Sequence, residues 1–390
     1  MKILHTSDWH LGRRPVGGIG EYSKIRYEDY FNAAEYIVDK GIEESVDVFI
    51  IAGDLFDRSS IQPDILYRTE KLLQKLKEQN IEILVIEGNH DRSYRRQESW
   101  ISYLERRELV SVPEMTRENG EYCFEPIVIS GVKFFGVPYQ GSMINDALSA
   151  LATKLDEQED NIVIVHTGIV SWEQLPGCTK EETIDNFKNK IMYIAGGHLH
   201  HFQEYPDSNN GYFAVPGSPE YWDLGEKDEK GYVIFDTESR NYKFYPSKKR
   251  KLSNYSINDS ELEDFLDSVE VQEKEIIRLE IINSSSQIVK TDEIEDSLIN
   301  KGALKVITSV KYAGEYGNVN LDARNTSDIE KKVIEEKWNN IFSANSEKTV
   351  SYLNRLKSQL NEDSQEDIIF DHFDRFLDHL VEEGETNESE

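Results

Sequence analysis

Short apolar runs recur through the first 245 residues, and each run is only two to five residues long. Continuous runs of this kind are typical of strands that are covered on both faces. The predicted strands contain residues 3–4, 48–52, 83–86, 127–129, 162–165 and 191–194.

Between these runs, apolar residues recur at i, i+3, i+4 spacing, which predicts amphipathic helices. Residues 212–245 predict strands and turns alone. The mixture predicts an α/β fold for residues 1–245, a β-sandwich flanked by helices rather than a doubly wound sheet. The three helical stripes are Tyr27, Tyr30, Phe31, Ala34, Ile37 and Val38; Leu66, Thr69, Leu72, Leu73 and Leu76; and Ile144, Leu148, Leu151 and Leu155.

The pattern changes after a basic run at residues 248–251, which indicates a linker or surface loop. Apolar alternation at 277–281 and 306–310, with a short helix at 292–300 between, predicts a small α+β domain over residues 255–320. Residues 327–383 predict amphipathic helices, and residues 384–390 predict an acidic disordered tail. The aromatic face of the last helix either packs on its own domain or docks in a groove of a partner.

Charge narrows the classes of partner. The net charge is −30, and residues 361–390 alone hold twelve acidic residues against one basic residue. Such a field opposes binding to DNA or anionic membranes through overall charge, so a phosphate-bearing substrate needs local cations or bound metals. Two cysteines without metal-type spacing, a strand beginning at Lys2 and short apolar runs predict a cytoplasmic protein without signal peptide or membrane span.

Five clusters of Asp, Asn and His follow in order, most of them directly after a predicted strand, and hold five of the nine histidines. Loops after strands converge on one edge of a sheet in such layouts. Oxygen and imidazole donors gathered there are what a pair of divalent metals needs, so metal-dependent hydrolysis is the leading interpretation. The donors are Asp8, His10, Asp54, Asn89, His166, His198 and His200.

The spacing suggests how these seven donors divide. Asp8 and His10 leave the same side of an extended segment and can bind one metal together, as can His198 and His200. Asp54 has two oxygens and could bridge two cations. Three or four donors for each metal leave positions open for water and substrate.

The ladder Asp-x-His, Gly-Asp-x-x-Asp, Gly-Asn-His-Asp, His and Gly-His-x-His resembles that of the calcineurin-like metallophosphoesterase superfamily. The segments HTSDWHLG at 5–12, AGDLFD at 52–57 and PGSPE at 216–220 are similar to those of the SbcD nucleases, prokaryotic relatives of the meiotic-recombination-eleven (MRE-eleven) double-strand-break repair nuclease. This resemblance covers residues 1–226. It implies a nuclease domain, a capping domain that contributes to DNA binding, and C-terminal helices for a partner.

The resemblance implies two Mn²⁺ ions with Asp54 as the bridge. Asp8, His10 and His200 would hold the first ion. Asn89, His166 and His198 would hold the second. His90 would be catalytic, stabilising the transition state or protonating the leaving group.

Asp57 and Asp91 flank this set. Asp57 stands where part of the family has a histidine, so the balance between 3′-to-5′ double-strand exonuclease and single-strand endonuclease stays open, and its other role is a helix or turn cap. Asp91 is expected to orient His90 or to cap the following helix. His5 is expected to be a core histidine.

The expected substrates are DNA ends, hairpins and single strands, cut by structure rather than by base sequence because nothing indicates base-edge contacts. Basic residues crowd after the metal motifs, including Lys24, Arg26 and Arg96, and as a group they are candidates to follow a DNA backbone. The principal candidates are Arg13, Arg14, Arg58, Arg92 and Arg95.

The resemblance also implies partners: an SbcC-type, SMC-like ATPase that docks on residues 327–383, and a homodimer through helices of the first domain. Two alternatives stay open. One is another calcineurin-like enzyme, a phosphomonoesterase or cyclic-nucleotide phosphodiesterase, and the other is chiefly a tethering scaffold. The dimer candidates are Leu66, Leu72, Leu73, Leu76, Ile101 and Leu104.

Overall fold

The computed structural model describes residues 1–15, 20–92, 98–206, 211–226, 228–284 and 289–312. The predicted partner helices at 327–383, the tail at 384–390 and the candidate Arg95 lie outside these residues. No helix of the described part is long and apolar enough to cross a membrane.

Two sheets face each other in the first part of the chain, and two smaller sheets accompany them. One has the order β13-β12-β1-β2-β3 and the other β10-β11-β9-β8-β7-β6. The strands are β1 (Lys2–Thr6), β2 (Val48–Ile51), β3 (Glu82–Val85), β4 (Glu114–Glu118), β5 (Glu121–Glu125), β6 (Ile127–Ile129), β7 (Val132–Val137), β8 (Asn161–Val165), β9 (Tyr193–Gly196), β10 (Gln203–Tyr205), β11 (Phe213–Val215), β12 (Gly231–Asp236), β13 (Asn241–Pro246), β14 (Leu252–Asn258), β15 (Ile276–Asn283) and β16 (Lys305–Tyr312).

The two large sheets pack through a shared buried cluster that includes Ile50, Leu84, Phe134, Ile164 and Tyr193. Helices cover their outer faces, which explains why the central strands are apolar throughout. The predicted sandwich is confirmed. The helices are α1 (Gly20–Glu43), α2 (Pro63–Lys77), α3 (Trp100–Arg106), α4 (Ile144–Lys154), α5 (Glu181–Asp185), α6 (Leu262–Ser268) and α7 (Thr291–Asn300).

The direction of the strands determines where the loops that carry the predicted donors lie. β1, β2 and β3 are parallel, as are β7, β8 and β9. The loops after β1, β2 and β3, and those after β8 and β9, therefore leave their sheets at carboxyl ends. The hairpin of β4 and β5 was not predicted, and β9 begins two residues later than the predicted run at 191.

The apolar helical residues predicted to form the dimer interface are not an exposed surface, so this prediction is wrong. Leu73, Leu76 and Leu104 are fully buried, and Leu72 and Ile101 are also buried, within the cluster that joins α1, α2 and α3 to their sheet. Leu66 is partly buried against the same cluster. An apolar helical stripe indicates a buried face, and here the chain itself covers that face.

The chain divides into two compact units. The first contains Met1–Tyr255, Leu266–Leu279 and Thr291–Thr308. The second contains Ser256–Phe265, Glu280–Lys290 and Ser309–Glu390, of which the last is described only to residue 312. The helix predicted at 292–300 and the strands predicted near 277 and 306 are present as α7, β15 and β16, and the bounds 1–245 and 255–320 stay predictions.

Candidate metal centre

The strand-end loops bring all seven predicted donors to one place. Asp8 and His10 follow β1, and their backbone N–H groups donate to Gly53 and Asp54 carbonyls at 3.0 Å each. The first motif is thereby tied to the second by the backbone. Asn89 follows β3, His166 follows β8, and His198 and His200 follow β9.

The backbone is strained at four of these donors. Asp8, His10, Asp54 and His198 have φ angles of 55°, 46°, 52° and 79°. Residues with a Cβ adopt this left-handed region rarely and at a cost, and such strain concentrates at functional sites. The fold therefore holds these side chains in directions that a relaxed loop would not give.

The first donor group surrounds His10. Its Nε2 lies 3.3 Å from His200 Nε2, 3.9 Å from Asp8 Oδ1 and 3.8 Å from Asp54 Oδ2. Asp8 and His10 are buried, and His200 is partly exposed. These four atoms face one another, and only the two imidazole nitrogens are within hydrogen-bond distance.

The second donor group surrounds Asn89. Its Oδ1 lies 3.1 Å from His166 Nε2 and 3.0 Å from His198 Nδ1. His166 Nε2 is also 3.4 Å from Asp54 Oδ2. Asp54 Oδ2 thus faces both groups.

The donors fit divalent ions. Two ligand atoms of one ion, each at roughly 2.1 Å, lie roughly 3.0 to 3.4 Å apart, and the closest donor pairs have this spacing. Asp8 Oδ1 is buried and has no hydrogen-bond partner among the described residues. A buried carboxylate oxygen without a donor is costly unless a cation compensates it.

Hydrogen bonds and one ion pair indicate the tautomers of three donor histidines. His166 Nδ1–H donates to the Ala52 carbonyl at 2.8 Å, and His198 Nε2–H donates to the Pro176 carbonyl at 2.9 Å. His200 Nδ1 faces Glu226 Oε1 at 3.3 Å. In each case the other ring nitrogen keeps its lone pair for an ion, as metal-binding histidines require.

Burial and neighbouring charge set the proton affinities. Burial lowers the pKa of His10 far below its ordinary value, and burial with the nearby His166 lowers the pKa of His198 to about 4. Burial alone would raise the pKa of Asp54, but His166 holds that pKa below its ordinary range. Burial alone would lower the pKa of His166, but Asp54 raises it to about 9, so cation binding there competes with a proton.

His90 lies beside the first donor group. Its backbone N–H donates to Asp54 Oδ1 at 2.8 Å, and its Nδ1–H donates to the Asp57 carbonyl at 2.7 Å. Its ring is 4.8 Å from the His10 ring. The Asp57 carboxylate forms ion pairs with Arg13 at 3.4 Å and with Arg58 at 3.1 Å. These ion pairs, and not the predicted helix or turn cap, are the contacts of this carboxylate among the described residues.

Within the described residues Asp91 does not contact the His90 ring, whose Nδ1–H donates to the Asp57 carbonyl, so the expectation that it orients His90 is wrong. The residues that a helix cap at Asp91 would contact, 93–97, lie outside the described residues, so that expectation stays a prediction. The Asp91 carboxylate is buried and accepts backbone N–H groups from Leu55, Phe56 and Gly88 at 3.2, 2.9 and 3.0 Å. It therefore joins the Asp54 loop to the Asn89 loop. Burial and the charge of Asp54 raise the pKa of Asp91 to about 7.

Sequence reasoning missed two contacts from the irregular segment at 216–226. The Trp222 ring lies 4.0 Å from the His10 ring and 4.9 Å from the His200 ring. Glu226 contacts His200 and also Lys230 Nζ at 2.6 Å. The quoted motif at 216–220 was the only signal that this segment approaches the site.

The arginine candidates have different surroundings. Arg13 stacks on Trp222, with its guanidinium carbon 3.1 Å from the ring centre. Arg58 is exposed beside Asp57, Arg14 is exposed over the Tyr27 ring, and Arg92 is exposed with a bond to the Tyr139 carbonyl. These four residues lie near the metal motifs in the chain.

Arg26 and His5 are both buried. Arg26 is fully buried between Asp29 and Glu220 at 2.8 and 3.1 Å, so its inclusion among backbone-following cations is wrong. His5 is fully buried and lies 2.8 Å from the Tyr193 hydroxyl, and burial lowers its pKa to about 3. His5 is confirmed as a core histidine.

Comparisons with known proteins agree with this arrangement. The calcineurin-like phosphoesterase family model matches residues 1–202. The DNA double-strand break repair protein Mre11 of Saccharolobus solfataricus is 32% identical over 241 residues, covering 60% of this chain and 58% of that protein. The protein of the same name from Methanosarcina mazei is 27% identical over 327 residues, covering 78% of this chain and 49% of that protein. The chain thus spans about half the length of the curated relatives it matches.

Two solved structures also match the chain. A protein of Thermus thermophilus matches with a TM-score of 0.38 and 14% identity, covering 63% of this chain and 98% of that chain. A dimetal phosphatase from Danio rerio matches with a TM-score of 0.38 and 12% identity, covering 60% of this chain and 91% of that chain.

Proposed function

Since the chain belongs to the calcineurin-like phosphoesterase family, we propose that it is a manganese-dependent DNA nuclease in double-strand-break repair and recombination. It acts as a single-strand endonuclease and a 3′-to-5′ double-strand exonuclease, in the cytoplasm and associated with the nucleoid. The observation that carries the proposal is the pair of donor groups sharing Asp54, in a chain similar to two Mre11 proteins.

Each donor group holds one ion in this proposal. Asp8, His10 and His200 hold the first, Asn89, His166 and His198 hold the second, and Asp54 serves both. The mixture of imidazole, amide and carboxylate donors without thiolate is compatible with manganese. When bound, such a pair supplies a nucleophile at neutral pH and neutralises the charge that develops on a phosphodiester.

His90 handles the proton of the leaving group. Its Nδ1–H donates to the Asp57 carbonyl, so in the imidazolium form Nε2 carries the second proton and can give it to the departing 3′ oxygen, which leaves the neutral imidazole. The bond from its backbone N–H to Asp54 ties the position of this ring to the shared carboxylate. General acid catalysis by a positioned imidazole contributes on the order of 10² to 10⁴ in rate.

A direct test uses hairpin, blunt and single-stranded DNA with Mn²⁺, Mg²⁺ or Zn²⁺, and compares the wild type with His90→Ala. The proposal expects cleavage of all three substrates with Mn²⁺ and a loss of at least about a hundredfold in His90→Ala. A nitrophenyl phosphate monoester and a cyclic nucleotide are the comparison substrates. Faster turnover of either one would favour another phosphoesterase, and no cleavage despite saturated metal sites would favour a tethering scaffold.

The partners belong to the same proposal. We place the docking of an SbcC-type, SMC-like ATPase on residues 327–383, and we propose a homodimer whose surface is not the buried leucine stripe. Deleting 327–390 should abolish ATPase binding while manganese-dependent cleavage of single strands persists. Deleting only 384–390 is the matched control. Light scattering of the full chain tests the dimer, and a monomer at micromolar concentration would refute it.

A further inference from the structure

A cavity of about 580 Å³ lies beside Trp222 within the first unit. Its walls come from the loop that contains Arg13 and Pro15, from α1, from the segment at 221–225, and from the strands β15 and β16. Pockets for small ligands commonly measure roughly 300 to 1,000 Å³, so the cavity is large enough for one nucleotide. The residues that matter here are Arg13, Tyr22, Arg26, Trp222, Arg278 and Lys305.

Trp222 places the cavity next to the metal centre. The indole lines the cavity, and its ring lies 4.0, 4.9 and 5.3 Å from the rings of His10, His200 and His90. Arg13 covers one side of this ring. The Trp222 side chain therefore lies between the cavity and the donors, so a nucleotide in the cavity would be next to a phosphate at the donors.

The cations that line the cavity differ in whether a neighbouring carboxylate neutralises them. Arg26 is neutralised by Asp29 and Glu220, and Arg13 faces Asp57. Arg278 donates only to the Gly225 carbonyl at 3.3 Å, and neither it nor Lys305 has a carboxylate within 4.0 Å among the described residues. These two cations lie on the neighbouring strands β15 and β16.

Tyr22 offers the cavity an aromatic surface. It lies in the first turn of α1 and is half-buried, whereas Trp222 is already covered by Arg13 and His10. Asp223 is the one carboxylate among the described lining residues and is exposed at the rim. Cations that follow a backbone, combined with an aromatic ring on which a base stacks, are the means by which proteins hold single strands.

We propose that this cavity binds one unpaired nucleotide of the DNA strand, next to the phosphate that is cut. Arg278 and Lys305 contact the backbone phosphates, and the base packs against Tyr22. The cavity selects strands that can release a nucleotide from pairing, which deepens the proposed nuclease function and rests on it.

The test measures binding of a fluorescent thymidine oligonucleotide to the full chain by anisotropy, in EDTA and at several salt concentrations. Each phosphate contact on a single strand contributes about 0.7 to the slope of log K against log salt. Arg278→Gln together with Lys305→Gln should therefore lower the magnitude of the slope by about 1.4. Lys188→Gln changes an exposed cation that does not line the cavity, and it should leave the slope unchanged.

A second pair of variants tests the stacking. Tyr22→Ala should weaken single-strand binding by about tenfold, and Tyr22→Phe, which keeps the ring, should bind as the wild type does. Hydrolysis of bis-nitrophenyl phosphate with Mn²⁺ is the folding control, because this small diester reaches the donors without the cavity. All variants should retain it.

The outcomes separate the two proposals. If the wild type cuts DNA but the cavity variants bind with unchanged slope and affinity, the cavity proposal is overturned and the nuclease stands. If the wild type hydrolyses the small diester but neither binds nor cuts DNA, the nuclease proposal fails and the cavity proposal fails with it. Equal weakening in Lys188→Gln would also overturn the cavity, because the effect would then be one of overall charge.

Discussion

Replacing Glu226 should weaken one of the two metal sites and leave the other unchanged. Glu226 Oε1 lies 3.3 Å from His200 Nδ1, and His200 belongs only to the first donor group. Carboxylates that hold a ligand histidine typically contribute a factor of about 10 to 100 in metal affinity, equivalent to about 1.4 to 2.7 kcal/mol. Glutamine keeps an acceptor for the imidazole and should cost about tenfold, whereas alanine removes it and should cost closer to a hundredfold.

Titration calorimetry with Mn²⁺ measures both sites in one experiment. The variants should show one weakened binding event and one with the affinity of the wild type. Glu229→Gln is the matched control, because that carboxylate is exposed and pairs with Lys249. Glu226 also neutralises the buried Lys230, so thermal unfolding should be followed to confirm that the variants are folded at the titration temperature. Two unchanged affinities, or two that fall equally, would refute the assignment of Glu226 to a single site.

Three further changes test other parts of the centre. Gly88→Ala should lower the affinity for both ions in calorimetry, because its Cβ would stand 2.0 Å from Asp54 Oδ1. The control is Gly120→Ala, at a position with φ +91° and open space around it, which should cost about 1 kcal/mol of stability without changing metal affinity. His90→Ala should reduce DNA cleavage by about 10² to 10⁴ while both Mn²⁺ affinities persist, and a loss of metal binding would make His90 a ligand instead. Asp91→Ala should lower the free energy of unfolding in urea by at least about 3 kcal/mol, because three backbone N–H groups lose their acceptor; a change under about 1 kcal/mol would contradict that role.

The parts of the fold that sequence predicted best are those governed by local rules. The run at 48–52 forms β2, and the Asp54 that follows it faces both donor groups at the end of that strand. A continuous apolar run indicates a covered strand, and the carboxyl ends of parallel strands share an edge, so the donors could be grouped from the sequence alone. The superfamily indicated by these motifs is confirmed by the family match.

The wrong predictions concern residues whose sequence pattern does not show which part of the protein packs against them. The periodicity of Leu72, Leu73 and Leu76 shows that one side of α2 is buried, but it does not say that α1 and the sheet cover it. Arg26 looked like a solvated cation in the sequence, yet it lies between two carboxylates, one of them 194 positions away along the chain. Trp222 and Glu226 lie outside the helices and strands, so no hydrophobic periodicity in the sequence predicts their contact with His200.

The most direct test of the account is anomalous diffraction from crystals soaked in Mn²⁺. Two peaks are expected, one among Asp8, His10 and His200 and one among Asn89, His166 and His198, with Asp54 touching both. A single peak, or two peaks of which either lies beyond reach of the Asp54 carboxylate, would contradict it.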